Sequence, residues 1–175
     1  MAGLLAATRV LDLTNVLAGP FCCYQLAQLG AEVIKVEVPG TGDLARQLGA
    51  DPELNRRGMG ASFLAQNAGK RSITLNLKSP KGCDAFSRLV ATSDVVVENF
   101  RPGVMERLGL GYAALKAVKS DIVYCAISGF GDLARQLIAA ERAGKHVGQI
   151  EHPRRREKSS HSCTRLFCPT ECLSV

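Results

Sequence analysis

The chain has 175 residues, 46% of them hydrophobic, 5% aromatic and 22% charged, with a formal net charge of +6. That is enough chain for one domain with a real core, and no apolar run approaches the ~20 residues that a membrane-spanning helix needs. The basic residues are spread out without aromatic interleaving, which argues against a nucleic-acid face and suits an anionic small molecule as partner.

Residues 1–7 are apolar but lack the basic region and long apolar stretch of a signal peptide, so the cytoplasm or an organelle matrix is the expected location. Residues 9–13 read as a first strand. Residues 19–29 read as a helix, with Gly30 placed to cap its carboxyl end. Residues 32–37 form a second apolar strand. Residues 38–68 are a long, polar, glycine-rich connection, of the kind that is functional or partly disordered. Residues 72–77 read as a third strand. Residues 79–92 read as a helix, with Ser79 as N-cap and Pro80 in its first turn, where a missing N–H is harmless. Residues 94–97 form a buried parallel strand that ends in Glu98 and Asn99. Short helices over 104–108 and 112–118 follow, and then a strand over 121–127 that leads into Ser128-Gly129-Phe130-Gly131. Strands alternating with helices predict an α/β fold, a Rossmann-like doubly wound parallel sheet.

The segment Val97-Glu98-Asn99-Phe100-Arg101-Pro102-Gly103 is the most informative. In open α/β sheets ligands bind beyond the carboxyl ends of the strands. There Asn99 can donate and accept hydrogen bonds, Phe100 offers a face for stacking and Arg101 offers a phosphate fork. By residue chemistry alone this is either a ligand loop for something flat and anionic or a well-capped strand-to-helix turn.

Other motifs carry less. Gly40-Thr41-Gly42-Asp43-Leu44-Ala45 fits G-x-G-x-x-A, but it follows the second strand and not the first, so a flexible turn is the expected reading. Gly69-Lys70-Arg71-Ser72 lacks the upstream glycine of a P-loop, which leaves either a pair of phosphate-holding cations or a solvated strand start. No Ser-His-Asp or Cys-His arrangement is credible, because His146, His152 and His161 all lie in the last stretch of chain. No metal site is expected: Cys163, Cys168 and Cys172 do not match common zinc or ferredoxin spacings, and Cys22, Cys23, Cys83 and Cys125 read as small buried hydrophobes.

The composition changes after Gly131, and residues 132–175 read as an irregular basic tail without hydrophobic period. Gly42-Asp43-Leu44-Ala45-Arg46-Gln47-Leu48 recurs identically over 131–137. A copied structural unit would bring its neighbours with it, so the repeat points to a rearranged or mispredicted reading frame.

Several segments together resemble one family. They are Val10-Leu11-Asp12-Leu13-Thr14 with Leu17-Ala18-Gly19-Pro20, and Leu29-Gly30-Ala31-Glu32-Val33-Ile34-Lys35-Val36-Glu37. Pro39-Gly40 with Gly42-Asp43, Asn67 with Lys70-Arg71-Ser72-Ile73 through to Leu77-Lys78, the 97–103 loop, Arg107-Leu108-Gly109 and Ser128-Gly129-Phe130-Gly131 follow in order. The chain resembles the amino-terminal part of the class III CoA-transferases, the group that includes formyl-CoA transferase, carnitine CoA-transferases and α-methylacyl-CoA racemase. The resemblance covers residues 9–131 and implies that residues 1–131 form a Rossmann-like region that binds coenzyme A, with residues 132–175 outside it.

What the resemblance implies can be stated residue by residue. CoA contacts fall on Ala18, on Leu75, Asn76, Leu77 and Lys78, on Asn99, Phe100 and Arg101, and on Arg107. The substrates would be an acyl-CoA and a carboxylic acid acceptor, with no covalently held cofactor. Asn15, Leu17 and Val38 depart from the formyl-CoA transferase pattern, which speaks against formyl or oxalyl substrates. Family transferases use an aspartate further downstream as nucleophile, and no residue here aligns with it. The isolated chain is therefore expected to show little transferase turnover. A non-catalytic CoA-binding fragment and an acyl-CoA racemase lineage stand as alternatives. The resemblance also implies interlocked homodimers, which a chain without the second domain is not expected to complete.

Overall fold

A computed structural model describes residues 3–129. The residues from 130 onward, with the repeated heptapeptide, the three histidines and the last three cysteines, lie outside the described residues.

Five strands alternate with helices. They are β1 (Arg9–Asp12), α1 (Ala18–Gln28), β2 (Glu32–Glu37), a 3₁₀ turn (Leu44–Gln47), α2 (Pro52–Arg56), α3 (Ala61–Asn67), β3 (Arg71–Thr74), α4 (Pro80–Val90), β4 (Val95–Glu98), α5 (Val104–Arg107), α6 (Tyr112–Val118) and β5 (Val123–Ala126). The strands form one sheet in the order β3-β2-β1-β4-β5, and all four pairings are parallel. The expected doubly wound sheet is present. The order reverses direction between β1 and β4, which opens the crevice where such sheets bind ligands.

Side-chain alternation divides the core into two layers. Val10, Val33 and Val97 pack with Cys23 and the half-buried Leu26 on the α1 face. Leu11, Val96, Phe86, Val90 and Leu115 pack on the opposite face, beneath α4 and α6. Each of these five is at most 1% exposed. The caps follow the sequence. The Ser79 side chain accepts from the Gly82 N–H, with Pro80 in the first turn of α4. After α1 the chain reverses through Gly30 at φ +99, a left-handed conformation that glycine adopts without a Cβ clash.

Two expectations need correction. The third strand is shorter than residues 72–77, because the chain leaves the sheet after Thr74. The Asn76 side chain accepts from the Lys78 N–H at 3.0 Å and its carbonyl accepts from the Ser79 N–H at 3.0 Å. These local bonds replace the sheet ladder and turn Leu75, Asn76, Leu77 and Lys78 across the strand ends. The 38–68 connection is largely structured, carrying the 3₁₀ turn, α2 and α3. Asp43 caps the 3₁₀ turn by accepting from the Ala45 N–H, and Asp51 caps α2 by accepting from Glu53 and Leu54.

No helix among the described residues is long and apolar enough to cross a membrane.

Candidate functional site

Beneath the carboxyl ends of β1 and β2 lies a buried group of four charges. Asp12, the last residue of β1, stands beside Lys35 of β2 in the sheet register. Lys35 Nζ is 2.8 Å from Asp43 Oδ2 and 4.0 Å from Asp12 Oδ2. Lys70 Nζ donates to Asp12 Oδ2, to the Pro20 carbonyl and to Asn67 Oδ1, each at 2.8 Å. The side chains of both lysines are 1% exposed and those of both aspartates 0%. Two cations and two anions thus balance in a dry interior, as buried charges must. Burial pushes the Lys70 ammonium below its usual pKa, against the opposing pull of Asp12.

This placement decides the question raised by Gly69-Lys70-Arg71-Ser72. Lys70 points inward as the counter-ion of Asp12, and Arg71 pairs with Glu32 at 2.8 Å on the surface. Neither is a free phosphate cation. The G-x-G-x-x-A segment likewise forms a tight turn, closed by the Gly42 N–H donating to the Val38 carbonyl at 2.9 Å.

The charged group holds the loop that follows β1. Lys35 donates to the Thr14 carbonyl at 2.8 Å, and Asp43 Oδ1 accepts from the Val16 N–H at 3.1 Å. Val16 has φ +72, a strained conformation for a β-branched residue that persists only where surrounding contacts over-determine it. Asn99 supplies two of those contacts. Its Oδ1 accepts from the Asn15 N–H and its Nδ2 donates to the Asn15 carbonyl, both at 2.8 Å. With its amide oriented so that oxygen and nitrogen each meet a complementary group, Gln66 donates to the carbonyls of Val16 at 2.9 Å and Leu17 at 3.1 Å.

Against this wall opens a cavity of about 450 Å³. Leu13, Val36, Leu75, Leu77, Phe100, Val104 and Leu108 are among its apolar lining, and Asn15, Glu37, Asn76 and Lys78 supply its polar groups. An apolar slot with a few polar groups is the usual form of a small-molecule site. Of the residues marked in the sequence, Leu75, Asn76, Leu77, Lys78 and Phe100 come together here. Phe100 is half-buried and packs on the core beneath. Its N–H donates to Glu98 Oε2 at 2.7 Å, and Glu98 Oε1 accepts from Tyr124 Oη at 3.1 Å.

The remaining marked residues sit around the cavity. Asn99 is committed to the Asn15 loop and acts as a clamp across the switch point. Arg101 and Arg107 flank Gly103, which has φ +78 and caps α5. A Cβ there would come within 3.1 Å of an Arg107 guanidinium nitrogen, so the glycine leaves room for Arg107 to fold back along the loop. Arg101 and Arg107 are exposed, and neither they nor Lys78 form an ion pair or side-chain hydrogen bond among the described residues. Ala18 is exposed at the first residue of α1, beyond the strained loop. At the β2 end, sequence reasoning marked Val38 but missed Val36, Glu37 and Pro39 as cavity wall. The signal was there in a strand that ends at the same level as β1 and β4.

Glu37 is the other buried carboxylate at this edge. Burial raises its pKa, but hydrogen bonds from Arg46, Ser72 and the Asp43 N–H, with the Arg46 charge, outweigh that and leave it lowered from 4.5 to about 2. A depressed folded-state pKa contributes stability that is present above the unfolded value and lost as pH falls toward the folded one. The stability difference between the chain and Glu37→Gln should therefore be largest above about pH 5 and shrink toward pH 2. Urea unfolding at a series of pH values measures it, and a difference that does not change over that range refutes the assignment.

Among the described residues no group of three or more His, Cys, Asp or Glu is placed to hold a metal ion. Cys22, Cys23, Cys83 and Cys125 are free thiols. Cys23 is fully buried, and burial, followed by the nearby Asp12 charge, pushes its pKa far up, which makes it a packing residue and a poor nucleophile.

Comparison with known proteins gives the family and the fold. The family model described as CoA-transferase family III matches residues 5–145. The chain belongs to CoA-transferase family III. It is 46% identical over 127 residues to succinyl-CoA:glutarate CoA-transferase of Mus musculus, covering 73% of this chain and 28% of that protein. It is 47% identical over 134 residues to succinyl-CoA:mesaconate CoA-transferase of Haloarcula marismortui, covering 74% of this chain and 33% of the relative. The fold is similar to the crystal structure of a CAIB/BAIF family protein from Brucella suis. That similarity has a TM-score of 0.69 at 37% identity and covers 90% of this chain and 44% of the other. The matched region thus spans about a third of the length of the family III relatives.

Proposed function

We propose that this chain is the CoA-binding region of an enzyme that moves CoA between an acyl-CoA and a carboxylic acid. In this reading residues 1–131 hold the coenzyme, and CoA is a substrate that enters and leaves, not a retained cofactor. The observation that carries the reading is the strand-end cavity, apolar within and bordered by Lys78, with Arg101 and Arg107 uncommitted on the neighbouring loop. CoA has an adenine ring to bury and phosphates to pair, and a fork of N–H donors suits the latter. The relatives' names, which describe succinyl-CoA transferases, support the same substrate class.

The described residues position and bind. Asn99, Asp43 and Gln66 set the loop that follows β1, and the cavity beside that loop takes the flat end of the ligand. Calorimetric titration of the 175-residue chain with CoA tests the reading. Saturable binding that weakens as salt is raised is the expected result, and the absence of binding overturns it.

A further inference from the structure

The strand-end cavity has a neighbour. A second cavity of about 370 Å³ lies on the far side of Glu37 and Val38, and both residues line both cavities. Where the first is apolar, the second is polar, with Thr41, Thr74 and the Gly40–Gly42 turn among its walls.

Three arginines line it, Arg46, Arg56 and Arg57, and their situations differ. Arg46 is fully engaged. Its Nε and one terminal nitrogen donate to Glu37 at 2.6 and 2.7 Å, the other reaches the Gly58 carbonyl at 3.2 Å, and its guanidinium lies 3.8 Å from the centre of the Phe63 ring. Arg56 pairs with Glu53. Arg57, the residue that ends α2, has no ion pair or side-chain hydrogen bond among the described residues. Arg46 neutralises Glu37 and Glu53 offsets Arg56, so Arg57 leaves the cavity with uncompensated positive charge. A concave polar wall with one surplus guanidinium concentrates an anion. The planar fork meets two oxygens of a phosphate at once.

We propose that this second cavity binds a phosphate monoester, with Arg57 as its principal donor and the hydroxyls of Thr41 and Thr74 beside it. Resting on the CoA reading above, the phosphate is the 3′-phosphate of CoA, and the rest of the nucleotide lies across the Glu37–Val38 wall in the strand-end cavity. Arg57 is then the residue that distinguishes CoA from its 3′-dephosphorylated form.

The experiment titrates the 175-residue chain calorimetrically with CoA, with 3′-dephospho-CoA and with inorganic phosphate. Charge-assisted bonds to phosphate predict that CoA binds roughly 10- to 100-fold more tightly than dephospho-CoA. Arg57→Ala, at an exposed position, should weaken CoA alone and bring the ratio close to unity, while Arg57→Lys keeps part of it. Equal affinities in the unmodified chain, or an unchanged ratio in Arg57→Ala, overturn the 3′-phosphate site and leave the CoA reading standing. Phosphate that binds without competing with CoA also overturns it, assigning the cavity to free phosphate. If neither nucleotide binds, the CoA reading falls and the inference falls with it.

Discussion

Asp12→Ala is expected to destabilise the fold by about 3–5 kcal/mol, the usual penalty for removing one partner of a buried ion pair. Asp12 is fully buried and accepts from the Lys70 ammonium at 2.8 Å and from the Thr14 N–H at 2.9 Å. Without it, Lys70 keeps only the Pro20 carbonyl and the Asn67 side chain. The buried group would then hold two ammonium groups against one carboxylate, that of Asp43, which pairs with Lys35. Against a typical domain stability of about 5–15 kcal/mol, that is a large fraction of the whole. Asp12→Asn keeps the shape and some of the hydrogen bonding, so it should fall between. Urea unfolding followed by circular dichroism measures both variants. A loss below about 1 kcal/mol for Asp12→Ala would mean that the charges are solvated and not held in a dry interior.

The second large effect concerns ligand binding. Lys78→Ala and Arg107→Ala are each expected to weaken CoA binding roughly 10- to 100-fold, from ~1.5–3 kcal/mol per charge-assisted contact at about 1.4 kcal/mol per factor of ten. Both side chains are exposed and neither supports the fold through an ion pair among the described residues. Thermal stability should therefore stay nearly unchanged while affinity falls. That split separates a binding role from a structural one. Calorimetry against CoA at two salt concentrations reads it, with the variants showing a shallower salt dependence than the unmodified chain. Unchanged affinity in both variants removes these positions from the site.

The two predictions bear on different parts of one design. The buried quartet and the Asn99 clamp make a rigid base on which the strained Val16 loop is set, and the cations above it are left unpaired. A rigid edge fixes the backbone from which these cations extend, so the ordering left for binding is that of their side chains. Arg46 and Glu37 show the contrast. They also stand at this edge, but they are paired with each other and belong to the wall between the two cavities and its polar side.

Much of this was legible in the chain itself. The apolar runs at 9–13, 32–37 and 94–97 marked the buried strands. Ser79-Pro80 marked the start of α4, and Gly30 marked the reversal after α1. Each of these signals is local: the period of a strand, the orphan donors of a helix end and the φ that glycine tolerates act within a few residues. The strand-end position of the 97–103 loop followed from the same alternation. What the tertiary structure alone decided is where polar side chains go. Lys70 could have served a phosphate, but it is drawn inward by Asp12, 58 residues earlier. Asn99 could have faced ligand, but its amide closes on Asn15, 84 residues away. Lys35 sits in an apolar strand pattern as a charge that only the register beside Asp12 and the approach of Asp43 make tolerable. Hydrophobic burial is non-directional and leaves its period in the sequence, whereas a hydrogen bond or ion pair needs a partner at one distance and angle, and that partner is chosen only when the chain has folded.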